Sequence, residues 1–243
     1  MMKYRTKIVK NISSLIQNLK IHTSDLNQPI WYRGHAKQDW LLESRLIREN
    51  LATSERDYIN KFKQNATLIL SDEIRHNLNN SEFEWLFLMQ HNGFPTRLLD
   101  WTENPLVGLY FVIRKRQYFS HDGTLWVLLP TKLNEISNLG YGPNIIPSFE
   151  EQLIQDCTPE RIAQTGGQNN PVAAIAPRNN RRMQAQLGVF TISPANNRRI
   201  DTIGNGDHIW KYTIPADYKE EIANEFKLLA INEFTLFPEI DKI

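Results

Sequence analysis

The chain reads as an α+β protein with its helices concentrated in the N-terminal half. Three observations predict this. Helical spacing of apolar residues dominates the early segments, short runs rich in β-branched and aromatic residues dominate the later ones, and no strand–helix unit repeats as a doubly wound sheet would require. Ile12, Leu15, Ile16 and Leu19 in NISSLIQNLK fall at helical intervals, and QPIWYRG then reads as a short strand. Residues 53–79 carry Tyr58, Ile59, Phe62, Leu68, Ile69 and Ile74 among charges, a pattern for one long helix or two in series. Ser81 followed by Glu84 is a capping-box signature, starting a helix SEFEWLFLMQHN that Gly93 ends and Pro95 forbids to continue. RLLDW is a buried extended segment, Asn104 and Pro105 a helix start, and LVGLYFVIRKR a helix whose tail turns basic. TLWVLLP is a strand. A loop-rich region follows, GYGPNIIPS and then TGGQNNPVAAIAPRNNRR, where Gly, Pro and Asn dominate and a mobile loop is expected. QLGVFTI and HIWKYTIP read as two further strands and DYKEEIANEFKLL as a last helix. No repeat or linker divides the chain, so residues 1–243 are expected to form one domain.

Length and composition set bounds. With 243 residues and 41% apolar content the chain can bury one large core. Its 28 basic and 27 acidic residues give a net charge of +1, so the whole molecule is not drawn to nucleic acid or an anionic membrane, and any basic surface must be local. The longest apolar stretch, Leu106 to Ile113, is far short of the ~20 residues of a membrane span, and MMKYRTKIVK lacks a signal peptide's apolar segment. A cytoplasmic protein without membrane contact is expected. The single cysteine, Cys157, cannot form an internal disulfide and has no histidine near it in sequence to activate it.

Site motifs are sparse. Six histidines show no HExxH spacing and there is no CxxC, so no metal site is expected. Asp39, Asp72, Glu73, Asp100 and Glu103 form no DxD-type cluster for magnesium, and neither GxxxxGK[ST] nor GxGxxG occurs. Between Glu160 and Ile200, however, six arginines face one acid and no lysine. Arginine's planar fork grips two phosphate oxygens at once, which suits a phosphate-bearing ligand or nucleic acid; a solvated surface loop is the alternative.

HNGFPTRLLDW, residues 91–101, is the densest polar stretch. His91 and Thr96 either line a site or fix a turn. Arg97 and Asp100, three apart in an extended segment, point to opposite faces and need separate partners. Asp100 could accept from the helix start at Asn104 or from a ligand ribose, and Trp101 could be core or a stacking platform. Arg33, flanked by Trp31, Tyr32 and Gly34, is read as a partly enclosed site residue, against the alternative of a structural ion pair.

WYRG (31–34), DWLLESRLIRE (39–49), QHNGFPTRLLDWTENPLVGLYFV (90–112), RRMQAQLGVFTI (181–192) and FTLFPEIDKI (234–243) resemble, in that order, the FRG domain family, whose Phe-Arg-Gly motif reads here as Tyr32, Arg33, Gly34. The resemblance implies occurrence in bacteria and phages, with a role in phage defence or a toxin–antitoxin setting. The layout is also similar to a divergent ADP-ribosyltransferase, which implies a split antiparallel or mixed β-sheet and NAD as cofactor. In that resemblance the strand-end Tyr32-Arg33-Gly34 holds phosphates and ribose, Thr102 stands in the second motif ahead of Gly108, Tyr110 and Phe111, and a later strand carries a glutamate. The chain departs at the last point, offering Gln184 and Gln186 instead. A carboxylate there would stabilise an oxocarbenium-like state, which a neutral amide does little to do, and Asp100 or Glu103 are the substitutes in reach. The resemblance thus implies catalytic roles for Arg33, Gln186 and Thr102, with Tyr32, Gly34, His91, Thr96, Arg97, Asp100, Trp101 and Arg182 around the cofactor. The acceptor would be a macromolecule, protein, RNA or DNA. The alternative is a non-catalytic module binding a nucleotide or nucleic acid through the arginines of 160–200.

Overall fold

A computed structural model describes residues 6–71, 78, 81–138, 145–178 and 181–238. Among these, seven strands build one mixed sheet: β1 (Lys7–Ile8), β2 (Trp31–His35), β3 (Leu98–Thr102), β4 (Gly123–Leu128), β5 (Val172–Ala174), β6 (Gly188–Ile192) and β7 (Ile209–Ile214). Their order across the sheet is β1-β7-β4-β2-β3-β6-β5, and every neighbour pair is antiparallel except β1 with β7. The helices are α1 (Ile12–Thr23), α2 (Arg45–Arg48), α3 (Glu55–Ala66), α4 (Glu82–His91), α5 (Pro105–Ile113), α6 (Pro130–Ser137), α7 (Gln152–Gln155), α8 (Pro159–Thr165), α9 (Arg181–Gln186), α10 (Lys219–Leu228) and α11 (Glu233–Leu236). This is the expected α+β fold; the longer helices lie mostly in the first half and short ones follow. No helix among the described residues is long and apolar enough to cross a membrane.

The ladder is nearly interrupted in one place. β2 and β4 share five register pairs and β3 and β6 share five, but β2 and β3 meet only at Tyr32 and Thr102. The sheet is therefore split into β1-β7-β4-β2 and β3-β6-β5. On one face each half has its own core. Tyr32, Leu125, Val127 and Tyr212 pack under α5 and α10 with Leu109, Val112 and Phe226, while Leu98, Phe190 and Ile192 pack under α4 with Phe83, Leu86 and Met89. On the other face one cluster bridges both halves, Trp31, Trp126 and Leu128 meeting Leu99, Trp101 and Val189.

Close approach of α5 to β2 explains Gly34. A Cβ there would lie 2.1 Å from the carbonyl oxygen of Gly108, and one on Gly108 would lie 2.9 Å from the Cβ of Tyr32. Two facing glycines let helix and strand touch through their backbones. Lys219 is an unusual core residue: it is fully buried, donating from Nζ to the carbonyls of Ala36 (2.7 Å) and Tyr118 (2.9 Å), and burial pulls its amine down to about 8.

Several expectations change in detail. Ser81 does cap α4, but its hydroxyl accepts from the amide of Phe83. The pattern over 53–79 yields α3, ending at Ala66; residues 72–77 and 79 of it lie outside the described residues. The second of the two segments expected to be loop contains β5, because Val172, Ala173 and Ala174 pair with β6 and are buried, and α7 and α8 lie between the segments; residues 140–144, 179 and 180 of the segments lie outside the described residues. RRMQAQ forms a helical turn ahead of the strand, and Leu187, at φ 46°, turns the chain from α9 into β6. The helix over 219–228 is followed by a further turn, α11.

Candidate functional site

Arg33 stands where the sheet splits. Strand alternation puts it on the face opposite Tyr32 and Gly34, and its Nη1 donates to the main-chain oxygen of Asp100 at 2.6 Å, across the gap that the β2–β3 ladder leaves open. Its Nε donates to Nε2 of His35 at 3.3 Å, and the other ring nitrogen of His35 donates to the carbonyl of Trp40 at 3.2 Å. Burial, reinforced by the charge of Arg33, holds His35 at about 3, so the ring is neutral and free to accept. Arg33 itself is pulled below the usual arginine range by burial; arginine keeps its charge regardless. Nη2 bonds to no described residue, and Arg33 lines a hollow of about 170 Å³ with Glu43, Arg45, Arg48, Gln90, Thr96 and Asp100. Arg45 is committed to Glu49 and to the carbonyl of Gly93, whereas Arg48 has no hydrogen bond or ion pair among the described residues.

A chain of side chains forms the other wall. Thr96 donates to Oε1 of Gln90, and Nε2 of Gln90 donates to Oδ1 of Asp100. Gln90 and Asp100 also line a second hollow of about 110 Å³ with His91, Trp101, Arg182 and Gln186. Gln90 and Asp100 are thus the partition between the Arg33 side and the Gln186 side. Gln90 was not among the residues singled out from sequence; a glutamine near a helix end carries no motif signal, and only the fold sets it against Asp100.

The other expected site residues divide by what they touch. Thr102 is buried, donating to the carbonyl of Gln186 at 2.6 Å and accepting from the amide of Asn104 at 3.0 Å. It thereby takes the role at the start of α5 that was open for Asp100. The Gln186 side chain donates to the carbonyl of Leu236 at 2.8 Å, tying the C-terminal segment to the cleft edge. Arg182 lies 4.9 Å from the ring centre of Phe237, which Arg114 covers at 4.0 Å. Trp101 is in the core with its indole N–H on Thr191. Arg97 points away from Asp100, as alternation requires, and is 4% exposed in a two-pronged pair with Glu55 while donating to the carbonyl of Ser193. Burial pushes Glu55 upward and Arg97 offsets this in part. His91, at the end of α4, is exposed on the rim of the second hollow. Tyr32 is core, its hydroxyl pushed up to about 12 by burial. Glu103, the other carboxylate considered, pairs with Arg178. Cys157 is buried and its thiol raised to about 12, so no reactive thiolate is present. Most arginines of 160–200 are spent locally: Arg161 on Asp156, Arg178 on Glu103, Arg198 on Asn170 and Arg199 on Asp201.

Fold and site together define an α+β protein with an arginine-walled cleft at a split in its sheet. Residues 28–121 match the family model of the FRG domain. The matched segment holds Arg33, His35, Arg48, Gln90 and Asp100, while Arg182 and Gln186 lie beyond it. No curated protein and no solved structure matches the chain.

Proposed function

We propose that the cleft binds NAD and transfers ADP-ribose to a macromolecular acceptor, protein, RNA or DNA, with Arg33 and Arg48 gripping the phosphates and Asp100 serving as the carboxylate. The observation that carries this is the braced guanidinium of Arg33: its Nε and Nη1 are pinned by His35 and the Asp100 carbonyl, which fixes the fork, and the residue lines a hollow together with Arg48, which has no pair among the described residues. A pre-aimed guanidinium beside a second cation favours a diphosphate over a lone carboxylate. In the reaction the bond between ribose C1′ and nicotinamide breaks with its electron pair leaving on the nicotinamide. A nucleophile of the acceptor bonds to C1′ and gives up its proton. Positive charge gathers on the ribose meanwhile, and Asp100, oriented through Oδ1 by Gln90, is the carboxylate that lines both hollows. Gln186, turned to Leu236, serves the cleft by holding the C-terminal segment in place.

The test is incubation with NAD labelled in its adenine, a search for label on protein, RNA and DNA, and assay of free nicotinamide. Label on a macromolecule with nicotinamide released is the expected result, and Asp100→Asn should slow release about hundredfold with NAD binding retained. Nicotinamide without macromolecular label would make the chain a hydrolase. Binding with neither product would leave a nucleotide-binding module.

A further inference from the structure

The Arg33 hollow continues past Arg48 into a larger one of about 470 Å³, lined by Asp39, Trp40, Leu41, Glu43 and Arg48. Arg48 and Glu43 border both, so the two hollows adjoin as a trench in two parts with these residues at the junction. Its size falls within the range that accommodates a small organic ligand. The far wall is aromatic. Trp40 is 39% exposed, while Trp31, Trp85, Trp101, Trp126 and Trp210 are all buried. An exposed indole loses apolar hydration only if something covers it. Trp40 is held still: its ring meets Tyr118 edge-on at 5.2 Å and His35 at 6.2 Å, and its carbonyl accepts from His35. The same histidine that orients Arg33 therefore fixes Trp40.

We infer that this outer hollow is a subsite for the purine ribonucleoside end of the dinucleotide, its base stacked on Trp40 and its phosphate on Arg48 and then Arg33. The inference rests on the nucleotide reading of the Arg33 site and adds where the base lies. A base has a π-face that any exposed indole can hold, and Arg48, which has no pair among the described residues, borders the same hollow and supplies the adjoining anion's partner. Asp39, which of the two hollows lines only the outer one, disfavours further phosphate beside the base, and Asp39 and Glu43 offer acceptors to the vicinal hydroxyls of a ribose; on the Arg33 side Glu43 is set against Arg33, Arg45 and Arg48. Asp39 is partly countered by Lys37 at 3.5 Å, and Glu43 lies in the field of Arg199.

The experiment titrates the whole chain with ADP and with ribose 5-phosphate, read by calorimetry and by tryptophan emission, to which Trp40 contributes the one solvent-exposed indole. ADP should change the emission and ribose 5-phosphate should not. Trp40→Ala should weaken ADP about tenfold and leave ribose 5-phosphate as it was. Trp40→Phe keeps a stacking ring and the fold, so it should retain ADP affinity and lose the emission change. ADP binding unaffected by Trp40→Ala, or no ADP binding by the wild-type chain, overturns the subsite. If ADP binds as described and NAD is not turned over, the subsite stands and the transfer reaction falls.

Discussion

At Arg33, two donors of one guanidinium are spent inside the protein while the residue lines the inner hollow, so one side chain is both braced by the scaffold and open to a cavity. Among the described residues no carboxylate is paired with it directly. Arg33→Ala is therefore expected to cost about 1 kcal/mol of stability for the unpaired Asp100 carbonyl, rather than the ~3–5 kcal/mol of a stranded buried charge. NAD affinity should fall about tenfold or more. Melts and calorimetry of the variant, with and without NAD, check both; a large drop in melting temperature without ligand would make Arg33 chiefly structural. Its neighbour His35 sets a pH dependence. The folded ring titrates at about 3 and an unfolded histidine near 6.5, so below pH ~6.5 the unfolded chain takes up a proton that the folded chain refuses. Stability falls progressively from there to about pH 3. His35→Gln should flatten that acid limb relative to wild type, and denaturant melts at a series of pH values measure the difference.

Between elements, the strongest constraint is the glycine contact of β2 with α5. A Cβ at Gly34 meets a backbone oxygen, which no rotamer change relieves, so Gly34→Ala should destabilise by about 1–3 kcal/mol or more. Gly93→Ala, where φ is +76° but the space is open, should cost about 1 kcal/mol. Thermal melts rank the two, and the reverse order would mean that α5 is free to shift. The glycine of Tyr32-Arg33-Gly34 thus serves packing while the arginine beside it lines the hollow. This explains what was legible beforehand. β2, β3, β4, β6 and β7, with α1, α4, α5 and α10, were readable because each is a short apolar or amphipathic run with its own caps or breakers. β5 was not, since PVAAIAP is too small and too proline-flanked to announce a strand, and only burial against β6 makes it one. Arg33 and Asp100 stood out as polar residues in apolar strands, and their placement at one gap follows from the alternation. The roles of Gln90 and Trp40 depend on contacts across roughly ten residues or on a loop, which no local pattern encodes. Arg97 was read toward a ligand on the same motif, but the acid that claims it, Glu55, begins α3 and is remote in sequence.

For the molecule as a whole, the split sheet and its three core clusters set how cooperatively the protein unfolds. Two clusters stabilise the halves separately and the third joins them through Trp31, Trp126, Leu99 and Trp101. Breaking the Arg97 pair should lower the β3-β6-β5 half first, since Glu55 and Ser193 both tie to it: Arg97→Met should cost ~3–5 kcal/mol and Arg97→Met with Glu55→Met together less. Hydrogen exchange should show amides of Leu98–Thr102 and Gly188–Ile192 exchanging sooner than those of β4 and β7 in the single variant. Uniform loss of protection across the sheet would mean that the halves do not act separately. Lys219 offers a way to time such events from the other half. Its amine, held at about 8 and wholly enclosed, is chemically primed in mildly alkaline buffer yet out of reach of an acylating reagent. Labelling of that one lysine, followed by mass spectrometry against the exposed lysines of the same chain, is therefore a stopwatch for how often the fold lets α10 come away from Ala36 and Tyr118.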